Sequence, residues 1–243
     1  MPKNQGHFLA VLWTRFSSQL NCVPHRIKTS TCFYADQYKM KKTTKPRGRP
    51  RAYNREMVIE RALQAFWRNG FSSTSLDDLV DATGINRPSL YAGFGDKEQI
   101  YLIALERFRD MMRARLQQAL TSRGEEDTVA DAVNRYLCEV VEIYLGNSNE
   151  ALGCAVFCTA LSETTNCEAI REMLAETLQA LDGILEAYLA KAYKKGLLDS
   201  EFDCVALARL LAATHHSLAI RARAGQSKRE LLKVVGAAVG LVR

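Results

Sequence analysis

Residues 75–101 read SLDDLVDATGINRPSLYAGFGDKEQIY, and this stretch decides the fold. Ser75, followed three residues later by Asp78, makes a capping pair that starts a helix, and Leu76, Leu79 and Val80 give it a short inward face. Gly84 stands where a left-handed residue turns the chain sharply, with Ile85 to plug the angle. A second short helix runs from Asn86 to Phe94, with Leu90 and Phe94 inward and Pro88 accommodated in its first turn. Asp96 and Gln99 form another capping pair, starting a longer helix through Ile100, Ile103, Ala104, Leu105 and Phe108. A helix that only packed would fill its outer positions with ordinary charge. This one carries Arg87, Ser89 and Tyr91.

Upstream, Val58, Ile59, Ala62, Leu63 and Phe66 recur at three- and four-residue steps, predicting a helix from an Asn54 cap to a Gly70 stop. Two short helices around a glycine turn, backed by this one, make a helix-turn-helix. Downstream, helical periodicity recurs over Val129–Leu145, Gly153–Glu163, Cys167–Lys194, Phe202–Ala224 and Lys228–Val242, separated by Gly, Asn and Ser breaks. No strand pattern appears. The fold class is therefore all-α with about nine helices: an N-terminal three-helix helix-turn-helix domain over residues 46–101, then a helical domain over 102–243.

Residues 1–45 lack periodicity able to bury a face and are expected to be disordered. Met40 opens MKKTTKPRGRPR and would make a natural chain start. Between Lys39 and Arg55 there are eight Lys or Arg and no acid, a local +8 in a chain of formal net charge +6. A basic arm on a mildly acidic body suits a polyanion, because Lys and Arg near phosphates release condensed counterions. Arg47, Arg49 and Arg51 alternate with Gly48 and Pro50, which keeps that arm extended. It can lie in a minor groove or attract phosphates diffusely; either way binding is salt-sensitive.

The hydrophobic fraction of 47% and charged fraction of 25% exclude a wholly disordered or fibrous chain. Seven cysteines without CxxC spacing argue against a disulfide framework and a zinc ribbon, and point to a reducing cytoplasm. No run approaches the roughly 18 apolar residues of a membrane span. FLAVLW, residues 8–13, is too short for a secretory signal core, so no membrane partner is expected. Nothing resembles a Walker loop or an HExxH metal signature, and no cofactor is expected.

The run from Arg47 to Tyr101, with its FSSTS turn, LDDLVDATGI core and LYxxFxxK segment, resembles the DNA-binding domain of TetR/AcrR-type repressors. The resemblance implies a homodimer whose head reads double-stranded operator DNA and whose helical C-terminal domain binds a small-molecule effector. By position, it puts Arg87, Pro88, Ser89 and Tyr91 on the recognition surface, with Ser75 and Asn86 at the helix starts, and it makes Lys97 a phosphate contact. Arg87 can pair bidentately with a guanine edge, while Tyr91 and Ser89 offer hydroxyls to phosphate oxygens. Ala92 and Gly93 depart from the aromatic and histidine that many relatives carry, which predicts a thinner contact there.

ALGCAVFCTALSE, residues 151–163, resembles the start of the sixth helix in one branch of that family. Tyr136, Cys154, Phe157, Cys158 and His215 are the expected ligand-binding residues. Cys154 and Cys158, four apart, are expected to share a helix face, where they serve either as small core hydrophobes or as a thiol or metal sensor. The last two segments, rich in Ala and Gly, correspond to the family's dimerisation helices. The expected function is a ligand-responsive transcriptional regulator, a repressor. The alternatives are a thiol- or metal-responsive regulator using Cys154 and Cys158, or an enzyme pairing Cys154 with His215.

Overall fold

The computed structural model describes residues 53–121, 123–146, 152–198 and 203–242. Arg47, Arg49, Arg51 and the expected extension over 1–45 lie outside them. Among the described residues there are nine α-helices and no strand. None of these helices is long and apolar enough to cross a membrane.

α1 (Arg55–Asn69) starts where the Asn54 side chain accepts from Glu56 N and Met57 N, and it buries Val58, Ile59, Ala62, Leu63, Phe66 and Trp67. α2 (Leu76–Thr83) is closed by the reciprocal Ser75–Asp78 box. Gly84 then adopts φ +74°, a conformation that disfavours any residue with a Cβ. α3 (Arg87–Phe94) follows an Asn86 cap and buries Leu90 and Phe94. α4 (Lys97–Ala119) opens on the Asp96–Gln99 box.

α4 is the structural axis, because its buried face changes partners along its length. Tyr101 lies edge-on to Phe66 with ring centroids 4.9 Å apart, and Phe108 does the same to Trp67 at 4.9 Å. Such pairs add roughly 0.5–1.5 kcal/mol each beyond area burial. Met112 and Leu116, further along, are buried with the later helices. α4 thus crosses the expected domain limit at residue 101, and one contiguous core joins α1 to α9.

α5 (Val129–Leu145) begins at a Thr128–Asp131 box and buries nine side chains, among them Tyr136 and Tyr144. α6 is short (Ala155–Ala160) and runs into a 3-10 turn, Leu161–Glu163. α7 (Glu168–Lys194) and α8 (Cys204–Arg223) pack on each other, and α9 (Lys228–Val239) packs on α5 and α8.

The expected continuous helix from Gly153 is shorter in the structure. Gly153 has φ +67°, and a Cβ there would lie 2.5 Å from Ala219 O and 2.9 Å from Cys158 Sγ. The chain lies close against α8 at this point, and a residue at positive φ cannot belong to a right-handed helix, so α6 begins at Ala155. Cys154 consequently sits outside the helix as its N-cap, with φ −85° and ψ 127°. The shared helix face expected for Cys154 and Cys158 does not form.

Candidate nucleic-acid interface and effector core

α2, the Gly84 turn and α3 form the candidate reading head. Arg61 donates to Thr83 O at 3.3 Å, closing the C-terminus of α2. Thr83 is buried and donates its hydroxyl to Leu79 O. α3 is thereby held with Arg87, Pro88 and Tyr91 exposed and Ser89 half-buried. Tyr91 is 47% exposed.

Arg87 does not project freely. Its Nε and Nη2 donate to Asp77 Oδ1 at 3.0 and 2.5 Å, tying α3 to α2. With side chains 53% and 71% exposed, that pair is screened by solvent and weak. A bidentate guanine contact contributes roughly 1–3 kcal/mol of discrimination. Asp77 is therefore a weak resting place from which the guanidinium can move to a base edge.

The structure gives three other expected DNA residues local work. Ser75 Oγ accepts from Asp78 N at 3.1 Å and donates to Asp78 Oδ2 at 2.7 Å, and Asn86 Oδ1 accepts from Ser89 N at 2.9 Å. Lys97, expected as a phosphate contact, donates instead to Phe71 O at 3.1 Å and Thr74 O at 3.0 Å, with its ammonium 4.3 Å from the Phe71 ring centroid. Two of its three donors hold the α1–α2 turn, and one is left for an anion.

Gly93, the departure from the family pattern, has a physical reason here. A Cβ on it would lie 2.3 Å from Tyr53 Oη. Arg55 donates to Gly93 O at 2.6 Å and stacks 4.5 Å from the Phe94 ring centroid. Tyr53 and Arg55 thus back the end of α3 where a bulkier residue would otherwise stand.

Residues 53–101 carry five Lys or Arg against seven Asp or Glu, a net −2. The folded head therefore shapes a surface, and the charge that attracts phosphate is concentrated upstream, in the arm.

Of the expected ligand residues, Tyr136 and Phe157 meet His215, which is fully buried on α8. Its Nδ1 lies 2.9 Å from Tyr136 Oη and its Nε2 2.5 Å from Tyr144 Oη. The two tyrosines are eight residues apart on α5 and so present to the same side, about 12 Å apart along the axis. Burial pushes His215 down to about 3. A neutral imidazole has one donor and one acceptor, so one tyrosine donates to it and the other accepts. The Phe157 ring packs edge-on to His216 at 4.7 Å. His216 Nε2 is shielded and has no hydrogen-bond partner among the described residues.

Cys154 is completely buried, and burial pushes its thiol up to about 12. Cys158, half-buried with Sγ 3.8 Å from Ala219 O, is raised by burial too. Both are held as thiols at neutral pH, opposite to what a nucleophile or metal ligand needs. His215, with both nitrogens spent on tyrosines, is not placed as a base for Cys154. Among the described residues no three His, Cys, Asp or Glu side chains gather as a metal set.

α6 links this core to the head through contacts that sequence gave no sign of. Tyr101 Oη lies 2.6 Å from Thr159 Oγ1, and Ser72 donates to Glu163 at 2.8 Å. Arg223, at the end of α8, donates to Trp67 O at 2.7 Å and to Leu152 O and Arg68 O at 3.2 Å. The Trp67 indole N–H donates to the same Leu152 O at 3.2 Å. Partners 58 to 156 residues apart leave no trace in periodicity. Tyr144, by contrast, is legible in the sequence, which offers Tyr136, Tyr144 and Phe157 as an aromatic lining.

The profile of bacterial regulatory proteins of the tetR family matches residues 58–103. The chain is 30% identical over 199 residues to the HTH-type transcriptional repressor ComR of Escherichia coli, covering 81% of this chain and 92% of that protein. It is 27% identical over 177 residues to the uncharacterized HTH-type transcriptional regulator YezE of Bacillus subtilis, covering 72% and 89%. Among solved structures it is similar to a cysteine-substituted TetR family transcriptional regulator, CifR, complexed with 26-bp double-strand operator DNA. The identity is 29% and the TM-score 0.72, over 81% of this chain and 100% of that one.

Proposed function

Since the chain belongs to the TetR family of bacterial regulatory proteins, we propose that it is a homodimeric repressor that leaves its operator when a small molecule enters the α5–α8 core. The observation that carries this reading is α3, a short, rigidly capped helix behind a left-handed glycine that presents Arg87, Ser89 and Tyr91 to solvent. In operator binding, Arg87 exchanges Asp77 for a base edge, Tyr91 and Ser89 engage the backbone, and Arg47, Arg49 and Arg51 add phosphate attraction. The remaining donor of Lys97 contributes at most one further phosphate contact.

Dimerisation is assigned to α8 and α9. Leu210 and Ile220, 48% and 65% exposed, lie on one face of α8 with the exposed Ala206, Ala213 and Ala224. These positions follow the alternating three- and four-residue spacing of a packed seam. On α9, Gly236 and Ala237 are exposed, as is Gly240 just after it, and they allow close approach. The effector reading draws support from His216 Nε2, a shielded polar atom whose lack of a partner costs roughly 1–3 kcal/mol. An effector that supplied a partner would favour the arrangement that admits it, and α6 would pass the change to Trp67, Ser72 and Tyr101.

The test is selection of the full chain against randomised duplexes, followed by salt titrations of wild type, Arg87→Ala and Tyr91→Ala. A palindromic site with half-sites about one helical turn apart, relaxed at one base position by Arg87→Ala, is expected. No enriched sequence, or no effect of either substitution, would sink the assignment.

A further inference from the structure

A cavity lies apart from the His215 core, between the C-terminal halves of α4 and α7. At their other end these helices are latched by Arg109, which donates to Glu176 at 2.9 Å. Beyond the latch the seam opens into a groove of about 750 Å³, within the usual size of small-molecule sites. The opening has a cause in the sequence. On the α7 side it is lined by Ala180, Gly183 and Ala187, spaced three and four apart on one helix face. A Cβ built on Gly183 would meet nothing within 4 Å. Leu120, Ile184 and Tyr188 supply buried and half-buried apolar surface.

The groove's charge is one-sided. Arg113, Lys191 and Lys195 line it and are exposed. Neither lysine has an acidic partner among the described residues, and the nearest carboxylate to Arg113 is Asp110, at 3.9 Å. Asp127, the acid in the lining, is already neutralised: Arg135 donates to its two oxygens at 2.6 and 2.7 Å. Two lysines without an acidic partner among the described residues and an arginine whose pair with Asp110 is long and exposed, beside an apolar floor that small residues leave unfilled, fit a ligand with a single negative head and a hydrocarbon body.

We propose that the α4–α7 groove is a ligand site for an amphipathic monoanion, a medium-chain carboxylate, whose head is held by Lys191, Lys195 and Arg113 and whose chain lies along Gly183. Occupancy of the groove does not depend on the regulator reading; its use as an effector site does. α4, which carries Arg113, runs back to Lys97 in the head, so a ligand that shifts one end of this helix reaches the other.

The experiment is calorimetric titration of the full chain with sodium decanoate below its micellar concentration, with decyltrimethylammonium as the oppositely charged probe. Wild type is expected to bind decanoate saturably, one per chain, and decyltrimethylammonium at least tenfold more weakly. Lys191→Gln with Lys195→Gln, both at exposed positions, is expected to weaken decanoate about tenfold. Gly183→Leu fills the groove and is expected to abolish binding, while Gly183→Ala, which favours the helix, is the folding control and should bind decanoate more tightly than Gly183→Leu. Absence of saturable binding, equal binding of the two probes, or decanoate binding undiminished in Gly183→Leu would overturn the proposal. Operator affinity measured in the same samples separates the two readings: decanoate bound in the groove with operator affinity unchanged removes the effector role and keeps the site, whereas loss of all operator binding by unliganded wild type counts against the regulator reading alone.

Discussion

Replacing Arg223 by methionine keeps most of the aliphatic stem and removes the guanidinium that joins the end of α8 to the end of α1. Three donations are lost, to Trp67 O, Leu152 O and Arg68 O. Hydrogen bonds to a charged group contribute about 1.5–3 kcal/mol each. They are not additive here, because all three share one side chain and Arg68 O lies in an exposed setting where water can replace the donor. The expected net loss is about 2 kcal/mol, a fall in Tm of roughly 4–8 °C for a folded body of this size. Stability alone would not identify the mechanism, so a local probe is needed. Trp67 is nearly buried and its indole donates to Leu152 O. In a Trp13→Phe background its emission should shift to the red in Arg223→Met, and amide exchange in the last turn of α1 should accelerate more than in α5. Arg223→Lys, which can reach one of the carbonyls but not all three, should fall between. An unchanged Tm together with unchanged Trp67 emission would refute the idea that Arg223 fastens the C-terminal helices to the reading head.

Other consequences follow from single contacts. Asp77→Asn removes the resting partner of Arg87 and one negative charge from the head, so DNA affinity at low salt should rise several-fold; fluorescence anisotropy that showed no change or weakening would contradict the exchange of partners. His215, held near 3 in the folded protein against 6.5 when exposed, binds fewer protons folded than unfolded between those values. Stability should therefore fall below pH 6.5, with His215 contributing up to about 1.4 kcal/mol per pH unit, a slope that thermal melts should find shallower in His215→Gln, where the neighbouring His216, also lowered by burial, still contributes. Gly93→Ala should disturb Tyr53, whose Oη would lie 2.3 Å from the new Cβ. In a Tyr53→Phe background the same change should stabilise by about 1 kcal/mol, the ordinary helix gain, and a double-mutant cycle without that sign reversal would reject the contact.

Every helix start in the head was legible because caps are local. Asn54, Ser75, Asn86 and Asp96 each satisfy an amide two or three residues away, and the apolar spacing that follows each cap gives its inward face. The same locality misled at Gly153, where periodicity promised a helix and the backbone instead takes φ +67°, with the carbonyl of Ala219, 66 residues on, leaving no room for a side chain. Nor does locality show at Lys97 that two of the ammonium's donors are spent on the preceding turn, whose carbonyls lie 26 and 23 residues back.

By itself the sequence determined the all-helical class, the turn that displays α3 and the concentration of basic charge upstream of it. Only the tertiary structure decided what the residues do: that Arg87 rests on Asp77, that the two cysteines are sealed as thiols, that α6 and Arg223 bind the core to the head, and that α7 stands off α4. The division has one physical cause. Helix caps and periodic faces are set by neighbours within about a turn, whereas pKa values, hydrogen-bond partners and cavities are set by whichever distant segments packing brings alongside.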